Sequence, residues 1–183
     1  MSLPDDIHRI AVKVPLATPE RVQDDALIRV FHAWIREGGV LDGLLIDVAD
    51  YRHVPEGPGV MLIGHEWDRQ VDHGGGRAGV RSTAKRGLSG TLPERIRAVA
   101  ADAFRAADAL ADPRWLGDAA ARGDGEVEVC LLDRLAAPNT PEAFDDAAAA
   151  VAEALSAFGA VGAPGPGGDP RGPLTVRVAV TAA

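Results

Sequence analysis

The chain has 183 residues, of which 46% are apolar and 25% are charged, and its formal net charge is −8 at pH 7. This composition is typical of a globular protein with one core, and we expect a single domain over residues 1–183. The acidic balance and the absence of a Lys/Arg cluster exclude a basic nucleic-acid binder and disfavour contact with anionic membranes.

The first half of the chain predicts four strands and one helix. Alternating apolar residues predict the strands, and the second and third are expected to form an antiparallel hairpin. The fourth has a weak apolar face, which favours an edge position. An apolar stripe at helical spacing predicts the helix, with Thr18 as its N-cap. The strands span 7–14, 44–51, 60–71 and 77–85, and the helix spans 18–39.

The second half predicts two helices and two strands. "TLPE" (91–94) has the form of a capping box and begins the second helix, and "NTPEAF" (139–144) begins the third. "EVEVCLLD" (126–133) and "LTVRVAV" (174–180) predict strands. The segment 159–172 is rich in Gly and Pro and is expected to be a loop.

The element order β-α-β-β-β-α-β-α-β predicts the α+β class. We expect a single mixed, largely antiparallel sheet of about six strands, with three helices mainly on one face. The other face then needs cover, and depending on register it would carry Ala11, Ala49, Ala179 or Trp67. A homodimer would supply that cover.

The segment 53–77 contains His53, His65 and His73 together with several acids, which is a supply of metal ligands. Geometry argues against a shared site. If 60–71 is one strand, about 12 residues at about 3.3 Å each hold His53 and His73 roughly 35–40 Å apart. "HEWDRQVDH" also lacks the spacing of the HExxH motif. We therefore predict neither a metal nor a cofactor.

An acid–base pair is one candidate site. Folding the predicted hairpin places Asp47 opposite about residue 64, so Asp47 could lie beside His65. An aspartate beside a histidine orients the imidazole and raises its pKa, as general acid–base catalysis requires. A buried structural pair, or exposure of either residue, is the other interpretation. No nucleophile motif such as G-x-S-x-G accompanies the pair.

A ligand site is the other candidate, at the end of the second strand and in the loop after it. Its residues would be Asp50, Tyr51, Arg52 and His53. Arg52 can offer a bidentate fork to a small anionic molecule. The nearby "DHGGGRAG" (72–79) matches neither a P-loop nor a dinucleotide-binding turn, and it is more simply a hairpin turn.

The cysteine count, the hydropathy and the N-terminal sequence indicate the cellular compartment to expect. Cys130, the single cysteine, lies in the apolar run "VEVCLLD", which favours a small buried side chain over a nucleophile. One cysteine excludes an intrachain disulfide. No apolar run approaches the roughly 20 residues of a membrane span. The N-terminus lacks the pattern of a signal peptide, so we expect cytoplasmic localisation.

The segments "LLIDVADYRHVPEGPGVMLIGHE", "FHAWI" and "DRLAAPNTPE" resemble stretches of a family of uncharacterised bacterial proteins. The resemblance covers most of the chain and implies a complete bacterial protein, but it implies no activity, cofactor or catalytic residue. Three hypotheses follow from the residues. The first is a small-molecule-binding protein without its own catalysis. The second is an enzyme that uses Asp47 and His65, and the third is a structural homo-oligomer or partner-binding domain.

Overall fold

The architecture is that of a computed structural model, which describes residues 3–54 and 57–181. Along the chain the elements are β1 (Ile10–Pro15), α1 (Asp24–Glu37), β2 (Leu45–Asp50), β3 (Val60–Gly64), β4 (Trp67–Asp72), β5 (Gly79–Ala84), α2 (Leu92–Ala111), β6 (Gly125–Leu131), α3 (Pro141–Leu155), β7 (Ala160–Gly167) and β8 (Leu174–Val180). Within the described ranges all strands join one sheet in the order β2-β3-β4-β5-β1-β6-β8-β7. Each pair of neighbouring strands is antiparallel.

The α+β class is confirmed, but the sheet has eight strands rather than about six. One extra strand arises because the predicted strand 60–71 turns back on itself at His65 and Glu66. Gly64 permits the turn, since a Cβ there would collide with the backbone carbonyl of Trp67. Neighbouring strands also hold the turn: the His65 amide donates to the Leu44 carbonyl at 2.8 Å.

The other extra strand is β7, which lies inside the segment predicted as a loop. Among the described strands it pairs only with β8, and its register shifts between Val161 and Gly165. A strand that contains Pro164 and Pro166 is compatible with the outermost place in a sheet, where fewer backbone N–H groups are needed. The predicted loop is therefore wrong over 160–167.

The predicted edge position of β5 is also wrong, because β5 lies between β4 and β1. Its residues alternate between the apolar core and the opposite side of the sheet. Val80 and Ala84 belong to the apolar core, whereas Arg81 and Thr83 point to the other side of the sheet. The apolar face of β5 is weak because half of its residues belong to a polar surface.

Helix starts follow the local capping chemistry in two of three cases. Thr91 and Glu94 form the predicted capping box of α2, and the Thr140 hydroxyl accepts a hydrogen bond from the Ala143 amide at the start of α3. The first helix begins at Asp24 instead of Thr18, because Thr18 precedes a separate short 3₁₀ turn and makes no capping hydrogen bond. No helix among the described residues is long and apolar enough to span a membrane.

The core lies between the helices and one side of the sheet, to which alternate residues of the strands point. Val12, Val129 and Val176 on three adjacent strands are fully buried and join the apolar side chains of all three helices in one cluster. This core also holds an ion pair: Arg69 of β4, only 1% exposed, contacts Asp102 of α2 at 2.6 Å. The strand and the helix are therefore joined by charge as well as by apolar contact.

The opposite side of the sheet matches the prediction only in part. Ala11, Ala49 and Ala179 lie on that side, whereas Trp67 packs against the core. Long charged side chains rather than an apolar patch occupy its centre. The homodimer therefore stays a prediction, and the apolar surface that motivated it is replaced by a polar one.

Candidate functional site

A row of polar side chains crosses the sheet on the side opposite the core. Gln70 of β4 lies in register with Arg81 of β5, and the row continues through Lys13, Glu128 and Arg177 on β1, β6 and β8. Residues directly opposite each other in antiparallel strands point to the same side. We call this side the polar face, and it also carries Arg9, Asp68, Asp72, Thr83 and Cys130.

Lys13 is the centre of an ion network on the polar face. Its Nζ lies 3.2 Å from Asp72 Oδ2 and 3.0 Å from Glu128 Oε1, and its side chain is 8% exposed. Arg177 contacts Glu128 from the other side at 2.6 Å. Burial raises the pKa of Glu128, but Lys13 and Arg177 together lower it by a larger amount, so the net shift is downward. These charges are paired, as largely buried charges must be.

Asp72 connects this network to a neighbouring cavity. Burial raises its pKa, but the Gly74 amide and the charges of Lys13 and Arg81 outweigh this, and the pKa of Asp72 is lowered overall. The Gly74 amide donates to Asp72 Oδ1 at 2.9 Å, and Arg81 Nη1 lies 3.4 Å from Oδ2. Asp72 Oδ2 also accepts a hydrogen bond from Lys13, and the contact with Arg81 is the longest of the three. Among the described residues Arg81 forms no other ion pair, so most of its guanidinium has no partner there.

The cavity on the polar face has a volume of about 360 Å³. Its wall is polar at the strands and apolar at the loop 57–58, at Met61 and at Leu132. It is therefore an amphipathic cavity and not a purely ionic cleft. Its polar lining residues are Arg9, Asp68, Gln70, Asp72, Arg81 and Thr83.

Several of these polar groups have no hydrogen-bond partner among the described residues. Gln70 is only 7% exposed, yet no hydrogen bond from any residue in 3–54 or 57–181 engages its side-chain amide. The same holds within those ranges for the Thr83 hydroxyl and for the guanidinium of Arg9. Buried polar side chains are nearly always hydrogen-bonded, by protein, water or ligand, and of these three residues Gln70 is buried, Thr83 is half-buried and Arg9 is exposed. Unpartnered donors and acceptors around one cavity are the arrangement expected of a binding site.

The predicted site at residues 50–53 has a different electrostatic character. Arg52 donates hydrogen bonds to both carboxylate oxygens of Asp50 and also lies 2.9 Å from Asp25. The hydrogen bonds from Arg52 lower the pKa of Asp50 to about 2, and those same carboxylates raise the pKa of Arg52. The fork that the sequence assigns to an anion is thus already occupied by two carboxylates of the chain.

The hairpin at 65–66 brings His73 back towards this segment. Tyr51, Arg52 and His73 line one cavity of about 320 Å³ together with Asp24. The predicted separation of 35–40 Å between His53 and His73 is wrong, because it assumed an unbroken strand. Within the described ranges, no three His, Cys, Asp or Glu side chains are grouped so that they could hold a metal ion.

Asp47 and His65 are not joined in the structure. The ladder places Asp47 opposite Ile63, one residue from the predicted position. Asp47 Oδ1 accepts a hydrogen bond from the Val48 amide at 2.8 Å, and both Asp47 and His65 are exposed. No hydrogen bond or ion pair links these two side chains, each of which the structure describes. The acid–base role therefore stays a prediction that no contact supports.

Cys130 lies on the polar face rather than in the apolar core. It is opposite Ala11 and Thr175, and its sulfur accepts a hydrogen bond from the Thr175 hydroxyl at 3.5 Å. Burial raises the pKa of the Cys130 thiol. Since the thiolate is the nucleophile, this environment does not activate the cysteine.

Sequence reasoning did not assign four polar residues of the cavity lining to any site: Arg9, Gln70, Arg81 and Thr83. A signal was present in the alternation of polar residues at 68, 70 and 72 and again at 81 and 83, which indicates two strands with a polar side. No protein-family model and no curated protein matches this chain. Function is therefore inferred from the geometry of the polar face.

Proposed function

We propose that the protein binds a small acidic molecule in the cavity of the polar face and performs no catalysis of its own. The observation that carries the proposal is Gln70, a residue that is 7% exposed at the cavity wall and whose side-chain amide has no hydrogen-bond partner among the described residues. A ligand would satisfy its amide, which otherwise depends on water. The hydroxyl of Thr83 and the guanidinium groups of Arg81 and Arg9 complete the set of donors.

The charge around the cavity favours an anion. Two carboxylates line it. Asp68 pairs with Lys85 at 2.7 Å, and Asp72 shares Lys13 with Glu128, whose charge Arg177 also balances. Among the described residues the two arginines of the lining are then in excess, because Arg9 forms no ion pair there and Arg81 forms one, its 3.4 Å contact with Asp72. A local positive excess in a chain of net charge −8 attracts acids to this cavity. Guanidinium groups bind carboxylates and phosphates in a bidentate way.

The size and the apolar wall restrict the ligand further. A volume of about 360 Å³ is near the lower limit for small-molecule sites. Pro58, Met61 and Leu132 offer a short apolar surface beside the arginines. A compact organic acid with a few carbon atoms matches both features.

The segment 50–53 supplies a second candidate location for a small molecule. Its support is the cavity shared by Tyr51, Arg52 and His73. Because Asp50 and Asp25 already match the charge of Arg52, that cavity suits an uncharged or cationic ligand better than an anionic one.

A thermal-shift titration with small carboxylic acids and inorganic phosphate tests the proposal. A ligand at 100 times its Kd stabilises a protein by about 2.7 kcal/mol, which raises Tm by roughly 5–10 °C at this chain length. We expect Arg81→Gln to abolish this shift. Arg134→Gln, which removes the same charge from an exposed loop, should preserve it. Loss of the shift in Arg52→Gln instead would transfer the site to the 50–53 segment.

The proposal fails if no acid raises Tm at millimolar concentration. It fails equally if Arg81→Gln and Arg134→Gln respond to every acid as the wild type does. The melting temperature of each variant without ligand shows whether the substitution has changed the fold.

A further inference from the structure

We infer that the ligand is a short hydroxy acid, in which a hydroxyl group lies close to the acidic group. This assignment rests on the proposed binding function and specifies the class of its ligand. The observation that carries it is the carboxylate of Asp68, which lines the cavity of the polar face. An acid without a hydrogen-bond donor would displace water from this carboxylate and offer it nothing in exchange.

The two carboxylate oxygens of Asp68 have different surroundings. Oδ1 accepts hydrogen bonds from Lys85 Nζ at 2.7 Å and from the Gly64 amide at 3.3 Å. Oδ2 accepts none from any residue in 3–54 or 57–181, and it is not sealed from water. The Asp68 side chain is 18% exposed, so a ligand in the cavity removes much of the water available to Oδ2. Oδ2 then requires a donor from the ligand, because an unpaired carboxylate oxygen is costly to bury.

The strand register places Asp68 next to the groups proposed to hold the acid. Asp68 of β4 lies opposite Thr83 of β5, and Gln70 lies opposite Arg81. The two pairs point to the same side of the sheet and are two residues apart, which is about 7 Å along the strands. All four side chains line one cavity. An acid bound by the second pair therefore has the first pair as its neighbour.

The charges around Asp68 favour a neutral donor over an ammonium group. Lys85 already balances the charge of Asp68, so Oδ2 is an acceptor without excess negative charge. Arg81 and Arg9 line the same cavity and repel a further cation. A hydroxyl group donates a hydrogen bond to Oδ2 without adding charge. Its oxygen can in turn accept a hydrogen bond from the hydroxyl of Thr83, on the opposite strand.

Isothermal titration calorimetry with acids of one chain length tests this assignment. The ligands are butyrate, α-hydroxybutyrate, β-hydroxybutyrate, α-aminobutyrate and β-aminobutyrate, with every chiral acid used as the racemate. The proteins are the wild type, Asp68→Leu, Asp68→Asn, Arg81→Gln and the control Asp145→Leu. Asp145 is exposed on α3, and it forms no ion pair with any residue that the structure describes.

The readout is the Kd of butyrate divided by the Kd of each hydroxybutyrate, because a change in the charge of the cavity alters both constants alike. We expect this ratio to be about ten or more for one hydroxybutyrate in the wild type, since a hydrogen bond to a charged group has roughly that effect. Asp68→Leu keeps the branched shape of the side chain without an acceptor, and the ratio should fall to about one.

The other variants separate the role of Asp68 from general effects on the fold or on binding. Asp68→Asn is the milder substitution, and it should lower the ratio part of the way because its amide is uncharged. Asp145→Leu should leave the ratio unchanged. Arg81→Gln should weaken every acid. The melting temperature of each variant without ligand shows whether the fold is retained.

The outcomes separate the hydroxy acid from the proposed function. If butyrate binds through Arg81 as tightly as both hydroxybutyrates, the hydroxy acid is refuted and the binding function stands. An unchanged ratio in the Asp68 variants also refutes it, and so does an aminobutyrate that binds more tightly than either hydroxybutyrate. If no acid binds the wild type, the hydroxy acid and the proposed function fall together.

Discussion

Replacing Asp102 by asparagine should destabilise the protein strongly, because Asp102 is the counter-charge of a buried arginine. Arg69 Nε and Nη2 donate to the two carboxylate oxygens of Asp102 at 2.9 and 2.6 Å. Nη2 also donates to the Asp42 carbonyl, while Nη1 has no partner among the described residues. An arginine side chain does not lose its proton in a protein. In Asp102→Asn the guanidinium therefore keeps its charge in an apolar layer.

The expected cost follows from the burial of both partners. The side chains of Arg69 and Asp102 are 1% and 8% exposed. Removing one partner of a buried ion pair costs about 3–5 kcal/mol. An unfolding entropy of about 2.1 cal/mol/K per residue converts this into a decrease in Tm of roughly 8–13 °C for the whole chain.

Urea unfolding followed by circular dichroism measures the effect. At a slope of about 2.5 kcal/mol/M, the midpoint should fall by roughly 1–2 M. Asp112→Asn is the matched control, because Asp112 pairs with the largely exposed Arg114, and its midpoint should hardly change. Replacing both buried partners, as Arg69→Met with Asp102→Leu, should recover much of the loss. A loss below about 1 kcal/mol in Asp102→Asn would refute the reasoning, since it would mean that water solvates Arg69.

Three further predictions concern the hairpin, the polar face and a helix cap. Gly64→Ala should destabilise the fold by more than about 1 kcal/mol, through collision with the Trp67 carbonyl, whereas Gly165→Ala, where a Cβ meets no atom within 4 Å, should be tolerated in the same urea assay. The pKa of Asp72 is lowered because a backbone amide and two cations outweigh its burial. Its contribution to stability is therefore present above about pH 4 and is lost as pH falls below that value. In urea unfolding at a series of pH values from 7 to 3, the free energy of unfolding should decrease less in Asp72→Asn than in the wild type. Thr140→Ala should lower stability by about 1 kcal/mol and Thr140→Ser should not, and equal midpoints for the two variants would contradict a capping role.

Elements whose signals are local could be predicted from the sequence. The alternation in β1 and β8 determines one buried side, and the capping box at Thr91 determines the start of α2. Each of these patterns involves residues that interact within a few positions of one another. The general α+β class follows from the order of such elements.

The turn at His65 and Glu66 could have been found from a change of phase. Core-facing residues fall at even positions through Gly64 and at odd positions from Trp67 to Val71. A single regular strand cannot change phase, because its side chains alternate strictly. The change is hard to see in "VMLIGHEWDRQV" because Arg69 and Gln70 are both polar although they point to opposite faces of the sheet.

The cavity of the polar face could not have been found in this way. Arg9, Gln70 and Arg81 come from three strands, and only the sheet order places β4 and β1 on either side of β5. That order depends on pairing between distant segments, which no local pattern in the chain encodes. Arg52 was the more visible candidate because it follows a strand directly. The ion pair between Arg52 and Asp25 of α1 is also a contact between distant segments, so no local pattern predicts it.

The two outer strands of the sheet differ in how they limit growth by strand addition. β7 ends the sheet with Pro164 and Pro166, which have no N–H group to offer to an incoming strand. β2, at the other end, contains no proline. Two copies that joined through their β2 edges would present β7 at both outer ends, so that assembly by edge pairing would be self-limiting at two chains and would not propagate into a fibril.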